Sequence, residues 1–303
     1  MPCHFSKEEV DVKKLLKFIY ASLPWYMRER IGFYRLYGRF PNLSDPKLFN
    51  EKVLSRKRTT CLTDDMYPIF ADKYLVRDYV ESKIGPTYLI PLIAVFDNVN
   101  ELSSNLYDFE NFVLKPNHGA GMVKVVDGRL TKSQGEDVII EAEEWMEKDY
   151  SKKTGELHYK NIQRKLLVEQ KIGNKTSSLT DYKIHLFRQR NGDFFYVLQL
   201  IDDRFHGELS RTFYVNTLEC AYSGKNLIKP DLKSQLQEAV ELSKKLLGHM
   251  EYARIDWYID DGKIYFGEIT LTPASGLGLG YGKELDSIMG EKWDLSLIDK
   301  CPS

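Results

Sequence analysis

The residue pattern predicts an α+β fold: a basic, helical N-terminal arm over residues 1–60, followed by a mixed domain over 61–303. Three observations carry this reading. Beyond Arg58, extended and helical stretches alternate; residues 253–270 read as a β-hairpin; and residues 231–247 repeat apolar side chains at helical spacing. The mixed domain divides near position 165, with a lysine-bearing strand and Gly-bearing loop in 61–165 and an apolar strand and the hairpin in 166–303.

In order along the chain, 72–82 reads as a helix. Residues 111–115 and 122–126 read as short strands around a Gly-bearing turn, and 137–150 as an acidic helix. Segments 165–172, 181–187 and 193–201 look extended, the last two joined through the turn signal Arg190-Asn191-Gly192. Asp231 is placed to cap a helix carrying Leu232, Leu236, Ala239, Val240, Leu246 and Leu247, which Gly248 ends.

The chain has 303 residues, of which 43% are hydrophobic and 29% charged, and no apolar run approaches the roughly 18 residues of a membrane span. Forty-three basic and forty-four acidic side chains nearly cancel, which argues against a surface built for nucleic acid. Cys3, Cys61, Cys220 and Cys301 are dispersed without a CxxC pair, as expected in a reducing cytoplasm. Lys17 interrupts the apolar run near the N-terminus, so no export signal is read.

Charge is concentrated locally instead. Residues 12–58 hold twelve Lys or Arg against Glu29, Asp45 and Glu51, interleaved with Phe18, Tyr20, Trp25, Tyr26, Phe33, Tyr34, Tyr37 and Phe40. Such an arm suits the inner face of an anionic membrane, a lipid-linked glycan or a polyanionic substrate. It also suits an arm whose aromatics pack on the main domain while its charges are solvated.

In the hairpin, a three-residue turn Asp260-Asp261-Gly262 would set Ile259 opposite Lys263, Asp256 opposite Phe266 and Arg254 opposite Glu268. Arg254, Asp256, Phe266, Glu268 and Thr270 then share one side, with the two carboxylates as diagonal neighbours. A half-buried Asp and Glu repel unless a cation lies between them, and Mg²⁺ takes one or two carboxylates plus water and phosphate oxygens. An exposed hairpin with a surface Arg254–Glu268 pair is the alternative. A small-residue loop, 271–280, follows and permits close backbone approach to a ligand.

Upstream, Lys115 ends an apolar strand just before Pro116-Asn117-His118-Gly119-Ala120-Gly121. A lysine brings a compact charge to phosphate, and glycines let backbone N–H groups approach its oxygens. The lysine precedes the glycines, so this is not a P-loop; a ligand-free hairpin turn would look the same. Leu166 to Ile172 is read without a ligand as a strand end.

Taken in order, Phe49-Asn50-Glu51-Lys52, Ala71-Asp72-Lys73-Tyr74-x-x-Arg77, Val113 to Gly121, Asp181-Tyr182-Lys183 and Phe266-Gly267-Glu268-Ile269-Thr270 resemble the TupA-like ATP-grasp family of teichuronopeptide biosynthesis. The resemblance spans about residues 24–295. It implies an ATP-grasp fold, two α+β subdomains clasping ATP. Lys73 and Lys115 would hold the α- and β-phosphates beneath a loop of Asn117, His118, Gly119 and Gly121. Val168, Glu169, Gln170 and Ile172 would form the adenine hinge, with Lys183 near the β- and γ-phosphates. Asp256 and Glu268 would hold Mg²⁺, Thr270 taking the position of a further ligand, and Arg254 would meet the transferring phosphoryl group.

The implied reaction is a carboxylate–amine ligation that activates a uronic acid carboxylate of a surface glycan as an acyl phosphate, with an amino acid or other amine as acceptor. The arm and Arg204 or Arg211 would hold the anionic substrate. A glycan phosphotransferase, or a non-catalytic glycan-assembly protein, could be built on the same residues.

Overall fold

The computed structural model describes residues 12–173, 179–202 and 210–300. Arg204, Cys3 and Cys301 lie outside the described residues. Among the described residues, nine strands form two antiparallel sheets. The smaller contains β1 (Leu92–Phe96), β2 (Glu110–Pro116), β3 (Lys124–Arg129) and β4 (Leu166–Gln170) in the order β1-β4-β2-β3. The larger contains β5 (Asp181–Arg188), β6 (Phe194–Asp202), β7 (Ser210–Val215), β8 (Tyr252–Asp260) and β9 (Lys263–Thr270) in the order β7-β6-β5-β8-β9.

Period-2 alternation sets each sheet's faces. In the small sheet Phe112 and Leu114 of β2 and Leu166 and Val168 of β4 bury against the helices Val99–Asn105 and Lys132–Glu147. The latter helix opens with a capping box between Thr131 and Gln134. The opposite face of β2 and β4 presents Lys115 and Glu169. Because β4 pairs with both β1 and β2, the division near 165 is corrected: β4 is a central strand of the first sheet, and the chain crosses to the second sheet only after it.

In the large sheet Tyr182, Ile184, Leu186, Ile255 and Trp257 bury against the helices Lys233–Leu247 and Val76–Ile84. Trp257 Nε1 also donates to Ser243 Oγ at 2.9 Å. Asp231 lies in a 3₁₀ turn, Pro230–Leu232, and does not cap the helix. The other face is aromatic at one end, with Phe187, Phe213 and Tyr252 packed with Trp293, and charged at the other, with Lys183, Arg254 and Asp256.

The arm is not a separate layer up to residue 60. Its segment Phe49–Arg56 is a core helix: Phe49 is fully buried against Tyr252, Tyr281 and Trp293, with ring centroids 5.3–5.5 Å away. Arg56 is buried too, donating to the carbonyls of Tyr252 and Leu271 at 3.0 and 3.1 Å and pairing with Glu251. Glu29 in the helix Trp25–Tyr37 pairs with Lys57 and, at 2.6 Å, with Arg58. Several of the arm's charges are therefore internal ion pairs.

Asp286, in the helix Gly282–Lys292, ties the arm to the C-terminal segment. Its Oδ1 accepts from Asn50 N and its Oδ2 from Tyr37 Oη, both at 2.9 Å. Burial raises its pKa from 3.8 to about 6, against the opposing effect of those hydrogen bonds. The folded state thus favours the protonated acid, and this stabilisation is full below the unfolded pKa and lost as pH rises through about 6. Asp286→Asn removes the titration. Urea melts should show the stability of the variant, relative to wild type, rising by about 2 kcal/mol between pH 4 and pH 7; a difference independent of pH would disprove the assignment.

Candidate active site

Lys73 lies near the charged half of the large sheet, through Glu268, and near Lys115 and Glu169 of the small one. Strand register builds the centre: Lys183 on β5 pairs with Asp256 on β8, which pairs with Glu268 on β9, while Arg254 pairs with Thr270. This corrects the hairpin register. Asp261 and Gly262 both have positive φ, 47° and 73°, and make a two-residue turn that sets Asp260 opposite Lys263. A bulge at Gly267 then shifts the ladder between Trp257–Phe266 and Asp256–Glu268. Phe266 consequently lies on the core face, edge-on to Trp257 at 5.9 Å, and the carboxylates face each other directly instead of diagonally.

Arg254 is the cation between them. Its Nε and Nη2 donate to Asp256 at 2.7 and 2.8 Å, and Nη2 also donates to Glu268 Oε1 at 3.0 Å and Thr270 Oγ1 at 2.9 Å. Lys183 Nζ donates to the second oxygen of Asp256. The Thr270 hydroxyl donates to Glu268 Oε1 at 3.0 Å. Thr270 is thus bonded to both Glu268 and Arg254.

The small sheet and the segment 73–77, at the start of the helix Val76–Ile84, supply the remaining charges. Lys73 Nζ donates to the Gly119 carbonyl at 2.5 Å and lies 4.0 Å from Glu268 Oε2. Lys115 Nζ pairs with Glu169 at 2.6 Å, and Glu169 also meets Arg77 at 3.3 Å. Arg77 was visible in the sequence only as part of a motif; its partner lies on another strand. Burial would raise Glu268, but Lys73, Arg254 and Lys183 outweigh it and hold this carboxyl well below the usual carboxylate range. Burial lowers Lys73, helped by Lys115 and opposed by Glu268.

Not every residue of the expected phosphate loop faces the seam. Asn117 is fully buried and spends its amide on the fold, donating to Asp72 Oδ2 and the Gln163 carbonyl at 2.9 and 2.8 Å and accepting from Lys165 N at 2.8 Å. Its backbone accepts from Lys73 N at 2.9 Å, so it positions Lys73. The His118 ring is buried, and burial pushes its pKa down to about 4. Gly119 has φ +76°, and a Cβ there would stand 2.8 Å from the Tyr150 ring; Gly121, also at positive φ, lies in open space. The exposed loop is therefore the part beyond Gly119.

The expected hinge is where the chain leaves β4. Val168 is in the small-lobe core, Gln170 is exposed with its N–H on the Pro91 carbonyl at 2.9 Å, and Ile172 is half-buried. Gly173 N then donates to Asp260 Oδ2 at 2.9 Å, fastening the crossover to the β8–β9 hairpin. Arg211 lies against Gly280 in the small-residue loop: a Cβ there would be 3.0 Å from its Nε.

Two antiparallel sheets, the larger carrying Asp256 and Glu268 with Lys183 and Arg254 and the smaller carrying Lys115 and Glu169, with Lys73 reaching from the Gly119 carbonyl to Glu268, make the arrangement of an ATP-grasp protein. The TupA-like ATP-grasp family model matches residues 51–294, and the chain belongs to that family. Solved structures of similar fold include D-alanine–D-alanine ligase from Helicobacter pylori, at 16% identity and TM-score 0.44, covering 75% of this chain and 62% of that one. N5-carboxyaminoimidazole synthetase from Staphylococcus aureus complexed with ADP gives 13% and 0.48 over 78% and 53%. L-amino acid ligase from Bacillus licheniformis gives 14% and 0.46 over 75% and 50%. The chain thus spans one half to three fifths of the length of these proteins. No curated protein gives a significant match.

Removing Arg254 would leave two facing carboxylates without their shared cation. Arg254→Met should destabilise the fold by about 3–5 kcal/mol, and adding Asp256→Asn should restore part of that. Urea denaturation of both variants checks this, and an unchanged midpoint for Arg254→Met would show that the pair does not hold the hairpin.

Proposed function

We propose that the protein is an ATP-dependent carboxylate–amine ligase that activates a uronic acid carboxylate of a bacterial surface glycan and joins it to an amino acid or other amine. The observation that carries this reading is the gathering of Lys73, Lys183 and Arg254 about Asp256 and Glu268, with the Lys115–Glu169 pair beside Lys73. Family membership supports the nucleotide; the glycan and the amine follow from the family's setting.

The donor set suits Mg²⁺: two carboxylates face each other across a ladder rung, both hard oxygen ligands, and the ion completes its shell with water and phosphate oxygens. Glu268 is the more available, with 31% of its side chain exposed against 3% for Asp256. When bound, the ion neutralises phosphate charge and orients the terminal phosphoryl group.

The chain's own residues do the rest. Lys73 and Lys115 meet the α- and β-phosphates, Lys183 the β- and γ-phosphates, and Arg254 the equatorial oxygens as charge spreads over them. A substrate carboxylate oxygen bonds to the γ-phosphorus as the bond to the bridging oxygen breaks, giving ADP and an acyl phosphate. The amine then attacks the acyl carbon, loses a proton and expels orthophosphate. The loop beyond Gly119 is placed to exclude water from that intermediate.

Glu268→Gln should still fold, at a lowered thermal midpoint, yet raise the Mg²⁺ concentration needed for half-maximal turnover by about 100-fold or more; near-normal Mg²⁺ dependence would remove Glu268 from the metal site. Phosphorus NMR with Mg-ATP, uronic acid glycans and pooled amino acids tests the reaction. ADP with orthophosphate, only when carboxylate and amine are both present, is the expected result. A new phosphomonoester on the glycan would make the protein a kinase and overturn the ligase.

A further inference from the structure

The helix Trp25–Tyr37 is docked by one face, and the helix Val12–Ser22, which meets it through Tyr20, has no buried side chain among its described residues. Inward, Phe33 and Glu29 are buried, Trp25 lies against Gly155, and Tyr20 Oη donates to the Arg28 carbonyl at 3.1 Å. Outward, Leu15, Phe18 and Ile19 stand at i, i+3 and i+4 on the first helix, Phe18 being 73% exposed. Tyr26, Met27 and Tyr34 continue the exposed surface on the second.

Charge says what covers this face. Residues 12–40 hold seven Lys or Arg and one acid, Glu29, which is buried and paired with Lys57 and Arg58. Lys14, Arg30 and Arg35 are exposed, and the Arg30 guanidinium stands 5.3 Å above the Phe40 ring. Aliphatic Leu15 and Ile19 beside Phe18 suit hydrocarbon better than sugar, whose partners are flat aromatics and hydrogen-bonding groups. Tyrosines with a wet hydroxyl and an apolar ring suit the headgroup level. At 11 residues the first helix is far too short to cross a bilayer, and no helix among the described residues is long and apolar enough to do so; it can only lie in the interface.

We propose that this outer face is a docking surface for an anionic phospholipid bilayer, Phe18 and Ile19 entering below the headgroups and the basic side chains meeting lipid phosphates. The contact is read without turnover, so it stands or falls apart from the ligase chemistry.

The test is co-sedimentation of the full chain with vesicles of phosphatidylcholine alone or mixed equally with phosphatidylglycerol. Binding is expected on the mixed vesicles, about tenfold weaker on neutral ones and weakened by salt. Phe18→Glu with Ile19→Glu should lower it about tenfold at an unchanged thermal midpoint. If that variant fails to fold, Arg30→Glu, on the same exposed side, should weaken binding in the same direction. Equal binding to neutral vesicles, indifference to the substitutions, or retention by soluble polygalacturonate without vesicle binding would overturn the proposal.

Discussion

The structure depends on charge neutralisation at the seam between its two sheets. Lysines 73, 115 and 183 and Arg254 are drawn largely out of water there, and a buried cation without a partner would either lose its proton or destabilise the fold by several kcal/mol. Each finds a carboxylate on a strand: Lys115 takes Glu169 on β4, Lys183 and Arg254 take Asp256 on β8, and Arg254 reaches on to Glu268 on β9. Lys73, from the segment before the helix Val76–Ile84, lies between the Gly119 carbonyl and Glu268, and so spans both lobes. Lys115 and Glu169 pair within the small sheet, and Lys183 and Arg254 find their carboxylates within the large one, so among these four cations it is Lys73 that links the two.

What could be read from the residues was what local chemistry decides. Strand β5 was placed at its observed start, and the apolar spacing of the helix Lys233–Leu247 and the sidedness of Arg254, Asp256, Glu268 and Thr270 appear as the pattern implies. What could not be read was decided by partners distant in the chain. Nothing near 165 says that Leu166–Gln170 pairs with Leu92–Phe96, a strand some seventy residues earlier. Nothing in Phe49 itself says that Tyr252 and Trp293 will enclose it and make the end of the arm part of the core.

Gly267 shows how one residue joins the two kinds of information. With strict alternation, Phe266 and Glu268 would share a face, and either an aromatic would enter the charged seam or a carboxylate would enter the core. The extra residue in the ladder resolves the conflict by turning Phe266 to Trp257 and Glu268 to Asp256. A side chain at Gly267 would stand 3.0 Å from the Asp256 carbonyl and the Tyr258 ring, so the bulge favours the smallest residue. The glycine was legible as part of a motif, but its reason lies in the opposite strand.

The two facing carboxylates are not equivalent. Asp256 is enclosed, with both oxygens bonded to Arg254 or Lys183, and burial and the neighbouring Glu268 push its pKa up against those two cations. Glu268 is anchored through one oxygen only, by Arg254 and Thr270; its other oxygen looks toward Lys73 at 4.0 Å, and its side chain reaches solvent. One carboxylate is thus built into the sheet and the other presented at its edge. Because the surrounding cations keep Glu268 ionised far below neutral pH, the presented charge is fixed across the physiological range. On the ligase reading, an incoming triphosphate need not separate bare charges: its oxygens can replace carboxylates as partners of the lysines, while the carboxylates released turn to the metal. Such an exchange avoids most of the desolvation that would oppose binding to an unpaired cationic cleft.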